Sequence, residues 1–153
     1  MRIAGTQFDV ESSTLEIYVS GCTRACSGCH NKELQSFAVG TQWRDYISRL
    51  DFQLSRPFTT NVALMGGEPL EQGRINIEDL LTYIKMYNKY CPERKLWLYT
   101  GFEFCELSPW VLTHFDFVKC GRYDAEQACE DYVSNGIKLA SKNQRVYVKG
   151  IDF

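Results

Sequence analysis

The feature that most restricts the fold of this sequence is a series of short strand-like segments, most of them closed by a glycine. Residues 15–20 alternate apolar and polar side chains and are rich in strand-forming residues. Residues 61–65 are a short apolar run of the kind found in buried strands. Three further candidate strands lie at residues 95–100, 115–119 and 145–148. The closing glycines are Gly21, Gly66, Gly101 and Gly121.

Two stretches between the first three strands have the apolar spacing of a helix. The apolar positions of the first are Trp43, Tyr46, Ile47, Leu50 and Leu54, with Thr41 as the expected N-cap. Those of the second are Ile77, Leu80, Leu81, Ile84 and Tyr87, with Asn76 as the expected cap. Strands that alternate with helices predict a single α/β domain over residues 1–153, with a mostly parallel sheet.

The composition is that of an ordinary globular protein, with 44% hydrophobic and 24% charged residues. The formal net charge is -2 and the basic residues form no run, so we expect no nucleic-acid partner. No segment resembles a secretory signal or is apolar for long enough to span a membrane, so we expect a cytoplasmic location without membrane contact. In that compartment the seven cysteines are not expected to form disulfides.

Three of the cysteines are close together in the loop after the first strand. Cys22, Cys26 and Cys29 form a C-x3-C-x2-C motif, whose small intervening residues let the backbone wrap closely. Cysteine thiolates are the ligands of iron–sulfur clusters, which normally have four of them. A motif with three therefore predicts a four-iron cluster whose fourth iron is open to a small molecule, as in catalytic metal centres.

The same residues allow three other interpretations. Residues 26–30 match C-x-x-C-H, the attachment motif of c-type haem, although that reading gives Cys22 no role. A zinc site with His30 agrees with the ligand preference of zinc, but His30 directly follows Cys29 and would have difficulty turning to the same ion. Three buried, unreactive cysteines are the third alternative. Chance clustering at this spacing is uncommon, so the motif favours the cluster.

A second motif, Gly66-Gly67-Glu68-Pro69, follows the second strand. Adjacent glycines permit a close approach of the backbone to a ligand, and Pro69 restrains the preceding residue to an extended conformation. The alternative is an ordinary strand-to-helix turn. In a parallel sheet this turn, the cysteine loop and Thr100 all follow strands, so we expect them at the edge where such folds bind ligands.

Together the two motifs resemble the radical S-adenosylmethionine superfamily, in which C-x3-C-x2-C follows the first strand and a GGEP-type motif follows the second. Within it, the chain is most similar to the activating proteins of anaerobic ribonucleoside-triphosphate reductase. The similarity includes the Cys-x-Gly-Cys and Asn of residues 26–31, the Trp-x-x-Thr-Gly-aromatic pattern of 97–102 and the Ser-x-Asn-Gln of 141–144. It covers about residues 15–148.

This resemblance implies a shortened, partial (β/α) barrel of the radical-SAM type with alternating helices. It implies that Cys22, Cys26 and Cys29 hold a [4Fe-4S] cluster and are catalytic, and that S-adenosyl-L-methionine binds the fourth iron. The residues that would hold the methionine amino end are Gly66, Gly67 and Glu68. Those that would line the nucleotide side are Gly28, Cys29 and His30, with Thr100 as a weaker candidate.

The implied activity is the reductive cleavage of S-adenosylmethionine, which generates a glycyl radical on a large partner reductase subunit. The electron donor would be a small protein such as flavodoxin. One alternative is a radical enzyme that acts on a small molecule, such as a 7-deazaguanine precursor of a modified base, and another is a metal-binding module without activity. The four remaining cysteines have no tight spacing, so we expect structural or incidental roles for Cys91, Cys105, Cys120 and Cys129.

Overall fold

The fold contains nine strands and three α-helices in a computed structural model that describes all 153 residues. The strands are β1 (Arg2–Asp9), β2 (Thr14–Ser20), β3 (Thr41–Gln42), β4 (Asn61–Gly66), β5 (Lys95–Tyr99), β6 (Phe117–Cys120), β7 (Val133–Ser134), β8 (Ile137–Lys138) and β9 (Arg145–Val148). The α-helices are α1 (Ile47–Leu54), α2 (Arg74–Met86) and α3 (Pro109–His114). Short 3-10 turns lie at Lys32–Gln35, Trp43–Tyr46, Pro69–Gln72, Tyr87–Lys89, Phe104–Glu106 and Ala125–Gln127.

Seven of the strands form one sheet in the order β3-β1-β2-β4-β5-β6-β9. Its central strands, β2, β4, β5 and β6, are parallel. The outer strands β1 and β3 on one side and β9 on the other are antiparallel to their neighbours. The remaining two, β7 and β8, form a separate hairpin. The predicted α/β class is confirmed, and the sheet is mixed, with its parallel part at the centre.

The apolar core lies on one face of this sheet. Buried strand residues such as Ile17, Leu64 and Leu98 belong to the same cluster as Leu50 of α1 and Leu80 of α2. Because side chains alternate along a strand, the intervening residues point to the opposite face. Near the carboxyl ends of the four parallel strands, the half-buried side chains on that opposite face are Tyr18, Met65, Tyr99 and Lys119. This second face is the one available to a ligand.

The prediction of Thr41 as a helix N-cap is wrong. Thr41 and Gln42 form β3, which pairs with β1, and α1 begins only at Ile47 after a 3-10 turn. The apolar spacing of this segment is real, since Leu50 and Leu54 are buried. The first residues of this segment pair instead with β1, a strand that was not predicted from the sequence. Pairing with a distant strand thus overrides a local capping preference.

Asn76 is also not the cap of the second helix. This helix, α2, begins at Arg74 directly after Gly73, so Asn76 lies within its first turn. The side-chain amide of Asn76 donates a hydrogen bond to the carbonyl oxygen of Gln72 at 2.9 Å. The predicted buried stripe is correct for Ile77, Leu80, Leu81 and Ile84, whereas Tyr87 lies just after the helix and is half-buried. None of the helices is both long and apolar enough to cross a lipid bilayer.

Candidate cofactor site

A cleft of about 420 Å³ opens on the face of the sheet away from the core. Loops that follow the four parallel strands β2, β4, β5 and β6 line it, and the predicted site residues among them are Cys22, Cys26, Cys29, His30, Gly66, Gly67, Glu68 and Thr100. The side chains of the sheet that line it are Tyr18, Met65, Tyr99 and Lys119. The structure therefore brings both sequence motifs and the end of β5 together at the expected edge of the sheet.

The start of the cysteine loop is held by the turn that follows the second motif. The backbone N–H and the hydroxyl of Thr23 donate to the two carboxylate oxygens of Glu71, both at 2.7 Å. One residue earlier, the N–H of Cys22 donates to the carbonyl oxygen of Gln35 at 3.0 Å. Glu71 was not predicted from the sequence, because a lone glutamate in a turn carries no pattern of its own. Its pairing shows that the two motifs are mechanically linked.

The three cysteines of the motif are half-buried and line the cleft. Burial raises the pKa of Cys22, and the negative charges of Glu71 and Glu68 add to this effect. No three His, Cys, Asp or Glu side chains meet around a point where they could hold a single metal ion. A four-iron cluster is bound differently, because each thiolate is the ligand of a separate iron.

The glycine pair is explained by close packing between the two loops. A Cβ atom on Gly67 would lie 2.6 Å from the carbonyl oxygen of Gly21, and one on Gly66 would lie 2.8 Å from that of Val19. Gly66 also has a φ of +104°, which side chains disfavour. The N–H of Gly67 donates to the carbonyl oxygen of Val19 at 2.8 Å. Both glycines therefore allow the second motif to lie directly against the stem of the cysteine loop.

The carboxylate of Glu68 connects three loops inside the protein. It is 2% exposed and accepts hydrogen bonds from the hydroxyl of Thr100 and the N–H of Gly101, both at 2.8 Å. It also accepts from the N–H of Leu70 at 3.0 Å, and the guanidinium of Arg24 lies 3.7 Å away. Burial raises the pKa of Glu68, and these hydrogen bonds oppose that rise. The side chains of Glu68 and Thr100 are thus occupied by each other and by backbone groups.

The side chain of Arg24 connects the cysteine loop to the end of β5. Its guanidinium donates to the carbonyl oxygen of Gly101 at 2.8 Å and lies 3.6 Å from the ring centroid of Phe102. A planar guanidinium is suited to this combination of hydrogen bonding and stacking. The cysteine loop is therefore bonded to the segments that follow both β4 and β5.

Only some of the residues expected on the nucleotide side line the cleft. Cys29 and His30 line the cleft, whereas Gly28 does not. A Cβ atom on Gly28 would lie 3.2 Å from the ring of Tyr123, and that ring is centred 4.7 Å from the ring of His30. Tyr123 follows β6 and also lines the cleft. Tyr123 was not predicted from the sequence, since only the fold brings it near the cysteine loop.

The four remaining cysteines are unbonded and occupy different environments. Cys91 and Cys120 are buried, Cys129 is half-buried and Cys105 is exposed. Cys120 belongs to the apolar core, and its burial raises the pKa of its thiol to about 12. None of the four lines the cleft.

Comparison with known proteins identifies the family. The model of a family described as a 4Fe-4S single cluster domain matches residues 11–147. The anaerobic ribonucleoside-triphosphate reductase-activating protein of Haemophilus influenzae is 31% identical over 143 residues, which cover 90% of this chain and 88% of that protein. This chain belongs to the family of these activating proteins.

Other members of the family are similar over most of their length. The activating protein of Pasteurella multocida is 30% identical over 145 residues, with 90% of this chain and 88% of that protein covered. That of Enterobacteria phage T4 is 27% identical over 134 residues, with 86% and 81% covered. No solved structure matches the chain. The resemblance found in the sequence motifs is confirmed, and the 4Fe-4S domain supports a cluster over the haem and zinc alternatives.

Proposed function

We propose that this chain is a radical S-adenosylmethionine enzyme that activates an anaerobic ribonucleoside-triphosphate reductase. The observation that carries the proposal is that three half-buried thiols from one loop share a cleft with the glycine motif, in a member of the activating-protein family. This donor set fits a [4Fe-4S] cluster on Cys22, Cys26 and Cys29, with one iron free for S-adenosylmethionine. When bound and reduced, the cluster supplies the electron that cleaves the sulfonium.

The protein's own residues bind and orient the two groups. In this proposal the backbone at Gly66 and Gly67 borders the methionine end, while Cys29 and His30 border the nucleotide. Glu68 and Thr100 act indirectly, because their side chains bond to each other and to loop backbone. They hold the loops in register, so that the thiols and the binding surface keep one geometry.

The reaction proposed for this site is the transfer of a hydrogen atom from a glycine of the partner reductase to the 5' carbon released from S-adenosylmethionine, which would give 5'-deoxyadenosine, methionine and a glycyl radical. The names of the relatives support a protein substrate and favour it over the small-molecule alternative. We also propose that residues 1–153 act as one radical-SAM domain, in which β2, β4, β5 and β6 form a shortened, partial (β/α) barrel. The support is a core on one face of the sheet and a cleft on the other. The open side of such a barrel would be covered by the reductase.

Product analysis of the reconstituted protein tests the cofactor chemistry. Anaerobic protein loaded with iron and sulfide is mixed with dithionite and S-adenosylmethionine, and 5'-deoxyadenosine is measured. We expect product from the unaltered protein and from Cys105→Ser, whose thiol is exposed and outside the cleft, and none from Cys26→Ser. A cluster-loaded, unaltered protein that yields no 5'-deoxyadenosine would refute the proposal.

Mixing with the cognate reductase tests the partner. We expect a glycyl-radical EPR signal on the large subunit, with dithionite or with reduced flavodoxin as the electron donor. A protein that cleaves S-adenosylmethionine but neither binds the reductase nor produces this signal would show that the partner is wrong while the cofactor chemistry is right.

A further inference from the structure

Lys119 is a basic residue on the sheet face that forms the floor of the cleft. It lies on β6, where it pairs with Tyr99 of β5, and its half-buried side chain lines the cleft. Its ammonium donates one hydrogen bond, to the carbonyl oxygen of Gly121 at 2.9 Å. A lysine ammonium has three N–H donors, so two of them are left for a further partner.

No carboxylate oxygen lies within 4.0 Å of the Lys119 ammonium. None of the six ion pairs within 4.0 Å includes it. Glu68 is the single carboxylate that lines the cleft, and its oxygens already accept from Thr100, Gly101 and Leu70. Burial lowers the pKa of Lys119 to about 8, which expresses the cost of holding this charge away from water.

The other basic residues around the cleft differ from Lys119 in this respect. Arg24 is engaged with Gly101 and Phe102, and Lys138 lies 3.9 Å from Asp131. Arg122 is exposed, so water solvates its guanidinium. Lys119 is thus the basic group of the cleft that is partly dehydrated and unpaired. An unpaired charge in a half-buried position raises the free energy of the folded protein unless a ligand of opposite charge binds to it.

We propose that Lys119 binds the carboxylate of the amino-acid part of the ligand held in this cleft. The inference rests on the proposed function, in which that ligand is S-adenosylmethionine. A carboxylate has two oxygens, so it can serve as a metal ligand and still accept a hydrogen bond from an ammonium. A bond between two charged groups is about twice as strong as a neutral one, and it fixes the orientation of the ligand.

Ligand binding to the cluster-loaded protein tests this inference without requiring turnover. Anaerobic equilibrium dialysis compares S-adenosylmethionine with its decarboxylated analogue, which keeps the sulfonium, the amine and the nucleoside. We expect Lys119→Met to weaken binding of S-adenosylmethionine roughly ten- to a hundredfold and to change binding of the analogue by less than about twofold. The control is Lys95→Met, whose side chain is exposed, faces Asp116 at 3.9 Å and lies outside the cleft.

A second measurement uses the unaltered protein, so the test does not depend on the folding of a variant. Acetic anhydride labels lysine amines, and mass spectrometry reports the labelling of Lys119 with each ligand present. We expect S-adenosylmethionine to protect Lys119 more than the decarboxylated analogue does, at equal occupancy.

Several outcomes would overturn the inference. They are an unchanged affinity of Lys119→Met for S-adenosylmethionine, an equal loss for both ligands, and equal protection by both. A cluster-loaded, unaltered protein that binds neither ligand would instead contradict the proposed function itself. The two failures are therefore distinguishable.

Discussion

Replacing Gly67 by alanine tests the conclusion that the two motifs are held together by direct backbone contact. The added Cβ would lie 2.6 Å from the carbonyl oxygen of Gly21 and 3.0 Å from that of Leu34. The Gly21 oxygen accepts hydrogen bonds from the N–H of Glu68 and the side chain of Gln72, both at 2.9 Å. The Leu34 oxygen accepts one from the N–H of Gly21 at 2.7 Å, so neither atom can move freely. Forcing a methyl group into such a contact costs about 1–3 kcal/mol. For a chain of 153 residues that is a fall in Tm of roughly 2–12 °C.

Gly5→Ala is the matched control, because a Cβ there would meet nothing within 4 Å. Urea denaturation followed by circular dichroism gives the free energy of unfolding of both variants and of the unaltered protein. We expect Gly5→Ala to stay within about 0.5 kcal/mol of the unaltered protein. Gly67→Ala is expected to lose stability and to retain less iron after anaerobic reconstitution, because the cysteine loop is displaced. Equal stability of the two variants would refute the reasoning about the glycine motif.

Three further predictions concern single side chains. In Glu71→Gln an NH2 group replaces one of the two carboxylate oxygens that accept hydrogen bonds from Thr23. We expect this change to lower the unfolding free energy by about 0.5–1.5 kcal/mol and to speed the loss of iron to a chelator. Unchanged chelation kinetics would contradict this. The pKa of Lys119 is lowered from 10.5 to about 8 on folding, so the unfolded chain binds this proton more tightly, and between those pH values Lys119 makes a contribution to the unfolding free energy of the metal-free protein that rises with pH. The buried thiol of Cys120, whose pKa is raised from 9.0 to about 12, contributes in the opposite direction, so the Lys119 contribution is measured as a difference from Lys119→Met. Urea denaturation at several pH values should show that the unfolding free energy of the unaltered protein increases relative to that of Lys119→Met over this range, and parallel curves for the two proteins would contradict it. In iodoacetamide labelling of the folded protein, Cys105 should react well before Cys120, whose pKa is raised to about 12 by burial; the reverse order would be inconsistent with the fold.

The elements predicted well from the sequence are those whose signal is local. The strand at residues 145–148 has the predicted bounds, and those near 15–20, 61–65 and 95–100 differ from the observed strands by a residue at an end. The buried stripe of α2 follows directly from the spacing of its apolar residues. Each of these signals is contained in one short segment, so the periodicity of that segment was enough to find it.

The predictions that failed depended on partners elsewhere in the chain. Thr41 has the chemistry of an N-cap, but it pairs with β1, whose own residues carry no clear alternation. Asn76 also has the chemistry of a cap, and its amide is instead bonded to the carbonyl of Gln72. Capping preferences are worth about 1 kcal/mol, which is less than the packing that sets where an element begins.

What the sequence by itself determined is the chemistry of the site: three thiols in one loop, a diglycine turn after the next strand, and the order that marks the family. What only the tertiary structure decided is how those parts are used. It showed that Glu68 and Thr100 face each other, that Glu71 holds the cysteine loop, and that Lys119 lies unpaired on the floor of the cleft. The physical reason is that the types of side chain that can bind a cofactor, and the spacing between them, are properties of short segments of the chain. Burial and charge pairing depend instead on which distant segments fold against one another.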